Sequence, residues 1–129
     1  MKVIENERVI FCDVDETLIT HDAANLGTRN ASELAVFVKN PHTNENIVVY
    51  KNLPMIRCLI EEKARGGFIV VWSMGGNAWA KNVLTELELD DKVDLVMSKP
   101  FAYFDDKPVE SWLKYRLFIE PKTLYKEKI

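Results

Sequence analysis

Two aspartates, Asp13 and Asp15, stand one residue apart where the apolar run Val9-Ile10-Phe11-Cys12 ends. On an extended chain, side chains two positions apart point to the same side, so the sequence predicts both carboxylates at one spot. Like charges held together repel unless one is protonated or a cation lies between them. Hard oxygen ligands at this density suit Mg²⁺, which keeps several waters and bridges to phosphate. The pair therefore predicts a metal, a shared proton, or both. A D-x-D taken alone reads equally well as solvated acids closing a strand, and the rest of the sequence has to decide.

Three later polar groups follow apolar runs in the same way. Ser73 closes Phe68-Ile69-Val70-Val71-Trp72, Lys99 sits in Ser98-Lys99-Pro100, and Asp105-Asp106 follow Phe101-Ala102-Tyr103-Phe104. Singly, each is an ordinary turn or surface residue. Jointly with Asp13 and Asp15 they supply what phosphoryl transfer needs: a carboxylate nucleophile, acidic metal ligands, a hydroxyl and a cation for the phosphoryl oxygens, and an acid for the leaving group.

Placing these groups at one edge requires a particular fold. The run at 9–12 is continuous and β-rich, as expected of a strand buried on both faces of a parallel sheet. Leu53, Ile56, Leu59, Ile60 and Ala64 share one helical stripe over 53–65, with Asn52 as N-cap, Pro54 in the first turn and Gly66-Gly67 at the end. A strand at 68–72 follows, then a helix over 77–88 with Trp79, Ala80, Val83, Leu84 and Leu87 inward. Further strands are predicted at 94–97, 101–104 and 116–119. This alternation predicts an α/β fold, a three-layer α/β/α Rossmann-like sheet of mostly parallel strands, in one domain over 1–129. In such sheets ligands bind outside the carboxyl ends of the strands, where Asp13, Ser73, Lys99 and Asp105 would lie.

One segment breaks the rhythm. Residues 20–52 are long for a plain connection, and Ala35-Val36-Phe37-Val38 and Ile47-Val48-Val49-Tyr50 flank a cluster of turn formers at 40–46. A β-hairpin over about 35–50 is predicted there, projecting over the active-site edge, with His42 at its tip read as solvated.

In these motifs the sequence resembles the haloacid dehalogenase superfamily, whose pattern is D-x-D-x-T/V, a strand-ending Ser or Thr, a Lys and a final acidic pair. All four occur in order between Val9 and Asp106. The resemblance implies a Mg²⁺-dependent phosphohydrolase that cleaves phosphate monoesters through an aspartyl-phosphate on Asp13. Asp15 would be general acid and base, and its backbone carbonyl would help hold the metal. Thr17 would steady the loop. Ser73 with the following Met74 and Gly75 amides would bind the phosphoryl oxygens, and Lys99 would neutralise charge. Asp105 and Asp106 would complete the metal site in exchangeable roles. Family members with dehalogenase or phosphonatase chemistry lack an acid at the position of Asp15. Between Ser73 and Lys99 there is room only for a turn, a helix and a strand, so the chain resembles the class without a cap domain.

Composition bounds the alternatives. A net charge of −3 argues against nucleic acid as a partner, although a modest lysine group gathers near the C-terminus. Cys12 and Cys58 lack metal-ligand spacing and read as buried thiols of a reducing compartment. No apolar run reaches the roughly 18 residues that span a bilayer, so a cytoplasmic protein without membrane contact is expected. An open site admits a small phosphorylated substrate, a phosphorylated nucleic-acid end or a phosphoprotein, and the apolar hairpin suits a homo-oligomer contact. A non-catalytic phosphate-binding regulatory module of the same fold would be signalled by loss of Asp13 or Asp15, and both are present. A receiver-like phosphoacceptor would carry its aspartate at the end of a later strand.

Overall fold

A computed structural model of the chain describes residues 7–27, 30–113 and 116–121. It is a mixed α/β fold with two small sheets. The parallel one holds β1 (Val9–Asp13), β5 (Phe68–Ser73) and β6 (Leu95–Ser98) in the order β1-β5-β6. The antiparallel one holds β2 (Ile19–Thr20), β3 (Ala35–Lys39) and β4 (Asn46–Lys51) in the order β2-β4-β3. The helices are α1 (Ala31–Leu34), α2 (Leu53–Ala64), α3 (Asn77–Glu86) and α4 (Glu110–Leu113). No helix among the described residues is long and apolar enough to cross a membrane.

The expected hairpin forms from β3 and β4, with Val36 opposite Val49 and Val38 opposite Ile47. The two-residue β2 joins its far side, pairing Ile19 with Lys51, so the insertion is a three-stranded sheet rather than a lone hairpin. Asn52 does occupy the N-cap position of α2, but its side chain makes no capping bond. It turns back instead, and its Nδ2 donates to the Thr17 carbonyl at 2.8 Å while its amide donates to Leu18 at 2.9 Å. The start of α2 is thereby tied to the loop that follows β1.

In β1 and β5 the residues alternate as the pleat requires. Cys12, Ile69 and Val71 are buried in one cluster with Ile56 and Leu59 of α2 and Trp79, Ala80, Val83 and Leu84 of α3. Residues of the opposite register, Val9, Phe11 and Phe68, remain about half exposed. β1 is therefore buried on one face only, against the expectation of two, because both long helices contribute to the same side of the sheet. On that other face Phe11 stacks on Trp72 with ring centroids 4.5 Å apart, and Val70, the register partner of Phe11, is buried.

The expected strands at 101–104 and 116–119 are also absent. A strand persists only where its backbone groups find a partner. Neither segment pairs with the open edge of β1, and Phe101 and Phe104 stand fully in solvent. Their apolar alternation is real, but a sequence pattern does not supply the neighbour.

Candidate active site

Asp13 is the last residue of β1, and the chain turns immediately after it, with the Thr17, Leu18 and Ile19 amides all converging on the Val14 carbonyl. Thr17 Oγ1 donates to Asp13 Oδ2 at 3.4 Å, and Lys99 Nζ lies 3.5 Å from Asp13 Oδ1. Lys99 is set one residue beyond β6 by its amide, which donates to the Ser73 carbonyl at 2.9 Å, and its ammonium lies 5.8 Å from the Trp72 ring centroid. A carboxylate at the end of β1, the Thr17 hydroxyl of the following turn and the ammonium of Lys99 just beyond β6 are thus gathered across the end of β5.

Asp15 takes different partners. Because β1 stops at Asp13, strand periodicity no longer governs the second carboxylate. Ser73, fully buried at the end of β5, places Oγ 3.4 Å from Asp15 Oδ2 while accepting the Gly75 amide at 3.0 Å. The indole Nε1 of Trp79 donates to both Asp15 oxygens, at 3.1 and 3.2 Å. His21 Nε2 meets Asp15 Oδ1 at 2.8 Å. Trp79 reads from sequence only as a core aromatic of α3, and its buried ring confirms that half; its edge, however, grips the candidate general acid.

The backbone explains how Trp79 gets there. Gly76 opens α3 at φ 97°, a left-handed conformation that favours glycine, and Asn77 donates its amide to Ser98 Oγ at 3.0 Å. A Cβ on Gly75 would lie 2.9 Å from Trp79 Cδ1 and 3.3 Å from Ser73 Oγ. Only a residue without a side chain lets the indole fold back over the turn. Met74 projects its side chain into solvent.

The loop carrying His21 is held by Glu16, which adopts φ 58°. Its carboxylate accepts from Thr20 Oγ1 at 2.9 Å, the His21 amide at 3.0 Å and Asn25 Nδ2 at 3.2 Å. On the other side, His42 at the hairpin tip is not merely solvated: its Nε2 pairs with the Gly75 carbonyl at 3.1 Å. Asn82 Nδ2 of α3 donates to the Lys39 carbonyl at 2.9 Å, a second tie between hairpin and helix. Asp15, His21, Trp79 and the hairpin tip enclose an open cleft of about 210 Å³. Nothing in the spacing of His21 or His42 marks them as neighbours of Asp15; only the folding of the insertion over α3 does so.

Asp105 and Asp106 are not brought to these groups. Asp105 accepts the Lys107 amide at 3.1 Å, and that bond, with further help from Asp106, holds its carboxyl below the usual carboxylate range. Among the described residues, neither acid bonds Asp13, Asp15 or Lys99, and no three acidic, His or Cys side chains gather as a metal cluster. The physical reason is the one given for 101–104, since that segment would have carried them. Burial, with Asp13 and Cys58 nearby, pushes the Cys12 thiol up to about 12, so it remains a neutral core group.

Searches against protein-family models and against curated proteins give no match to this chain.

Proposed function

We infer that this protein is a phosphohydrolase acting on phosphate monoesters, with Asp13 as nucleophile and Asp15 as general acid and base. The observation that carries this reading is the pairing at the sheet's carboxyl end. Lys99 Nζ stands 3.5 Å from Asp13, while Asp15 one turn away is fixed by Ser73, Trp79 and His21. One carboxylate faces a cation that would neutralise phosphoryl charge, and the other faces the cleft in which a leaving group would fit.

In the first step an Asp13 oxygen bonds to phosphorus as the bond from phosphorus to the leaving oxygen breaks, and Asp15 gives that oxygen its proton. In the second, Asp15 takes a proton from water as the water oxygen bonds to phosphorus; the bond to Asp13 breaks and inorganic phosphate leaves. Lys99 and the Met74 amide would hold the phosphoryl oxygens, and Ser73 Oγ would join them by giving up its present bonds to Asp15 and the Gly75 amide.

The Asp13 carboxylate has the chemistry of a Mg²⁺ ligand. The Asp13 carboxylate is partly exposed, and its contacts to Thr17 and Lys99 lie at the long end of hydrogen-bonding distance, leaving lone pairs for a hard cation. The Asp15 carbonyl would be the second ligand. The ion, when bound, would offset the negative charge of the phosphoryl oxygens.

The finer reading of the fold belongs to the same proposal. The half-exposed apolar face of the parallel sheet and the free edge of β1 leave room for 101–104 as a fourth strand of a three-layer, Rossmann-like, capless domain of the haloacid dehalogenase type. That strand would carry Asp105 and Asp106 to Asp13 and complete the metal site. A small phosphorylated metabolite is the substrate favoured by the size of the cleft. The test is release of phosphate from an aryl phosphate with and without Mg²⁺. Release that needs Mg²⁺ and vanishes in Asp13→Asn supports the reading; full activity in Asp13→Asn would overturn it.

A further inference from the structure

We propose that Glu16 is a positioning residue: its carboxylate fixes the backbone of His21 so that the imidazole holds Asp15, across a turn whose backbone favours glycine. The proposal rests on the phosphohydrolase reading and deepens it, since it extends the acid and base machinery to a side chain that would touch no substrate.

The backbone of Glu16 is the first observation. It stands at φ 58°, a left-handed conformation in which a Cβ crowds the following carbonyl and which glycine adopts freely. Glycine would make the same turn without strain. A long side chain kept in that conformation points to work done by the side chain itself.

Its contacts show what that work is. Next to Asp15 and three positions from Asp13, Glu16 could add a third carboxylate to the charge gathered at the end of β1. Instead both of its oxygens turn to residues 20–25. Oε2 accepts from Thr20 Oγ1 at 2.9 Å and Asn25 Nδ2 at 3.2 Å, and Oε1 accepts from the His21 amide at 3.0 Å. Thr20 is fully buried at the end of β2, and Asn25 lies in the one-turn 3-10 helix Ala23–Leu26. Asn25 Nδ2 also reaches Thr20 Oγ1 at 2.9 Å, which closes the network. The carboxylate therefore joins a fixed strand end to the turn that follows it.

His21 carries this order to the site. Its ring lies nearly parallel to that of Trp79, with 18° between the planes and centroids 6.3 Å apart. Its Nε2 stands 2.8 Å from Asp15 Oδ1, closer than Trp79 at 3.1 and 3.2 Å or Ser73 at 3.4 Å. Trp79 and Ser73 are set by α3 and the end of β5, whereas His21 is an exposed residue of a connection, anchored through its amide by Glu16. Proton transfer is sensitive to small displacements of the acid, so an anchor on this loop acts on turnover more than on binding.

The experiment measures kcat and KM on an alkyl ester, glycerol phosphate, and an aryl ester, nitrophenyl phosphate, with thermal unfolding as the check on folding. Glu16→Gly, which keeps the turn and deletes the carboxylate, should lower kcat on the alkyl ester by about tenfold, the size of one lost bond to a charged group, with KM little changed. The aryl ester, whose leaving group needs less help from an acid, should suffer less. Glu16→Gln keeps an acceptor for the His21 amide and should recover most of the rate. His21→Ala should reproduce the loss, and the double variant Glu16→Gly with His21→Ala should be no slower than His21→Ala alone. Where Glu16→Gly folds poorly, Glu16→Asn takes its place, since asparagine tolerates the left-handed turn and is too short to make the same bonds. Full alkyl ester turnover in the Glu16 variant or in His21→Ala overturns the proposal, and so do losses that multiply in the double variant. Either result, with an active wild type, leaves the phosphohydrolase reading standing. Silence of the wild type on both esters overturns that reading and this role of Glu16 with it.

Discussion

Trp79 holds Asp15 by both oxygens, with its single indole N–H 3.1 Å from Oδ1 and 3.2 Å from Oδ2. A buried ring of α3 therefore sets the rotamer of the side chain that would move the proton. Trp79→Phe keeps most of the packing and deletes the donor. A hydrogen bond to a charged group contributes about 1.5–3 kcal/mol, so turnover should fall by about ten- to a hundredfold. The fall should be larger for alkyl phosphates, which need the acid, than for aryl phosphates with good leaving groups. Equal losses on both would show that the ring matters only for packing.

Gly75→Ala tests the same contact from the other side. The added Cβ meets the indole at 2.9 Å, and either the turn or the ring must shift. Thermal unfolding should report a loss of about 1–3 kcal/mol, with turnover reduced along with it. Unchanged stability and rate would mean that the turn relaxes freely.

Lys99→Ala removes the cation beside Asp13 and should lower kcat by on the order of 10²- to 10³-fold with little change in fold, since the side chain is partly solvated. A rate equal to wild type would return Lys99 to the role of an ordinary surface residue.

Asp105→Asn and Asp106→Asn examine whether the segment after β6 closes on the site. If it does, at least one of them should raise several-fold the Mg²⁺ concentration needed for half-maximal activity, and a chelator should abolish turnover reversibly in the wild type. Identical Mg²⁺ titrations in both variants would leave the acidic pair outside the site.

Acid stability has its own pair of switches. Glu62 is held below the usual carboxylate range by its hydrogen bond to Arg8, and Asp94 by its bonds to Lys63 and the Ile69 amide. Both groups are depressed in the folded state, so their contribution is complete above the unfolded carboxylate range and is lost as pH falls through the folded values. Glu62→Gln should flatten the loss of melting temperature between about pH 5 and pH 3. An unaltered acid limb would show that this surface pair contributes nothing measurable.

The sequence was most informative where the physics is local. The run ending in Asp13, the helical stripe of α2 and the turn formers at 40–46 place β1, α2 and the β3–β4 hairpin within a residue or two of their positions. Pairing between distant segments was not legible. Asn52 looked like a cap because capping is judged from neighbours in sequence, whereas its side-chain Nδ2 donates to the Thr17 carbonyl across 35 positions. Trp79 carried the periodicity of a core residue, and periodicity does not reveal which way an N–H points. Phe101-Ala102-Tyr103-Phe104 carried a strand pattern without the partner a strand requires.

At its tip the hairpin meets α3 and the turn before it through the bonds of Asn82 to the Lys39 carbonyl and of His42 to the Gly75 carbonyl, while at its other end β4 pairs with β2. Residues 40–46 therefore form an exchangeable cassette. Replacing the tip could redirect which alcohol is released while the chemistry at the strand ends stays as it is, so that new selectivity could arise here by swapping a turn instead of rebuilding a domain.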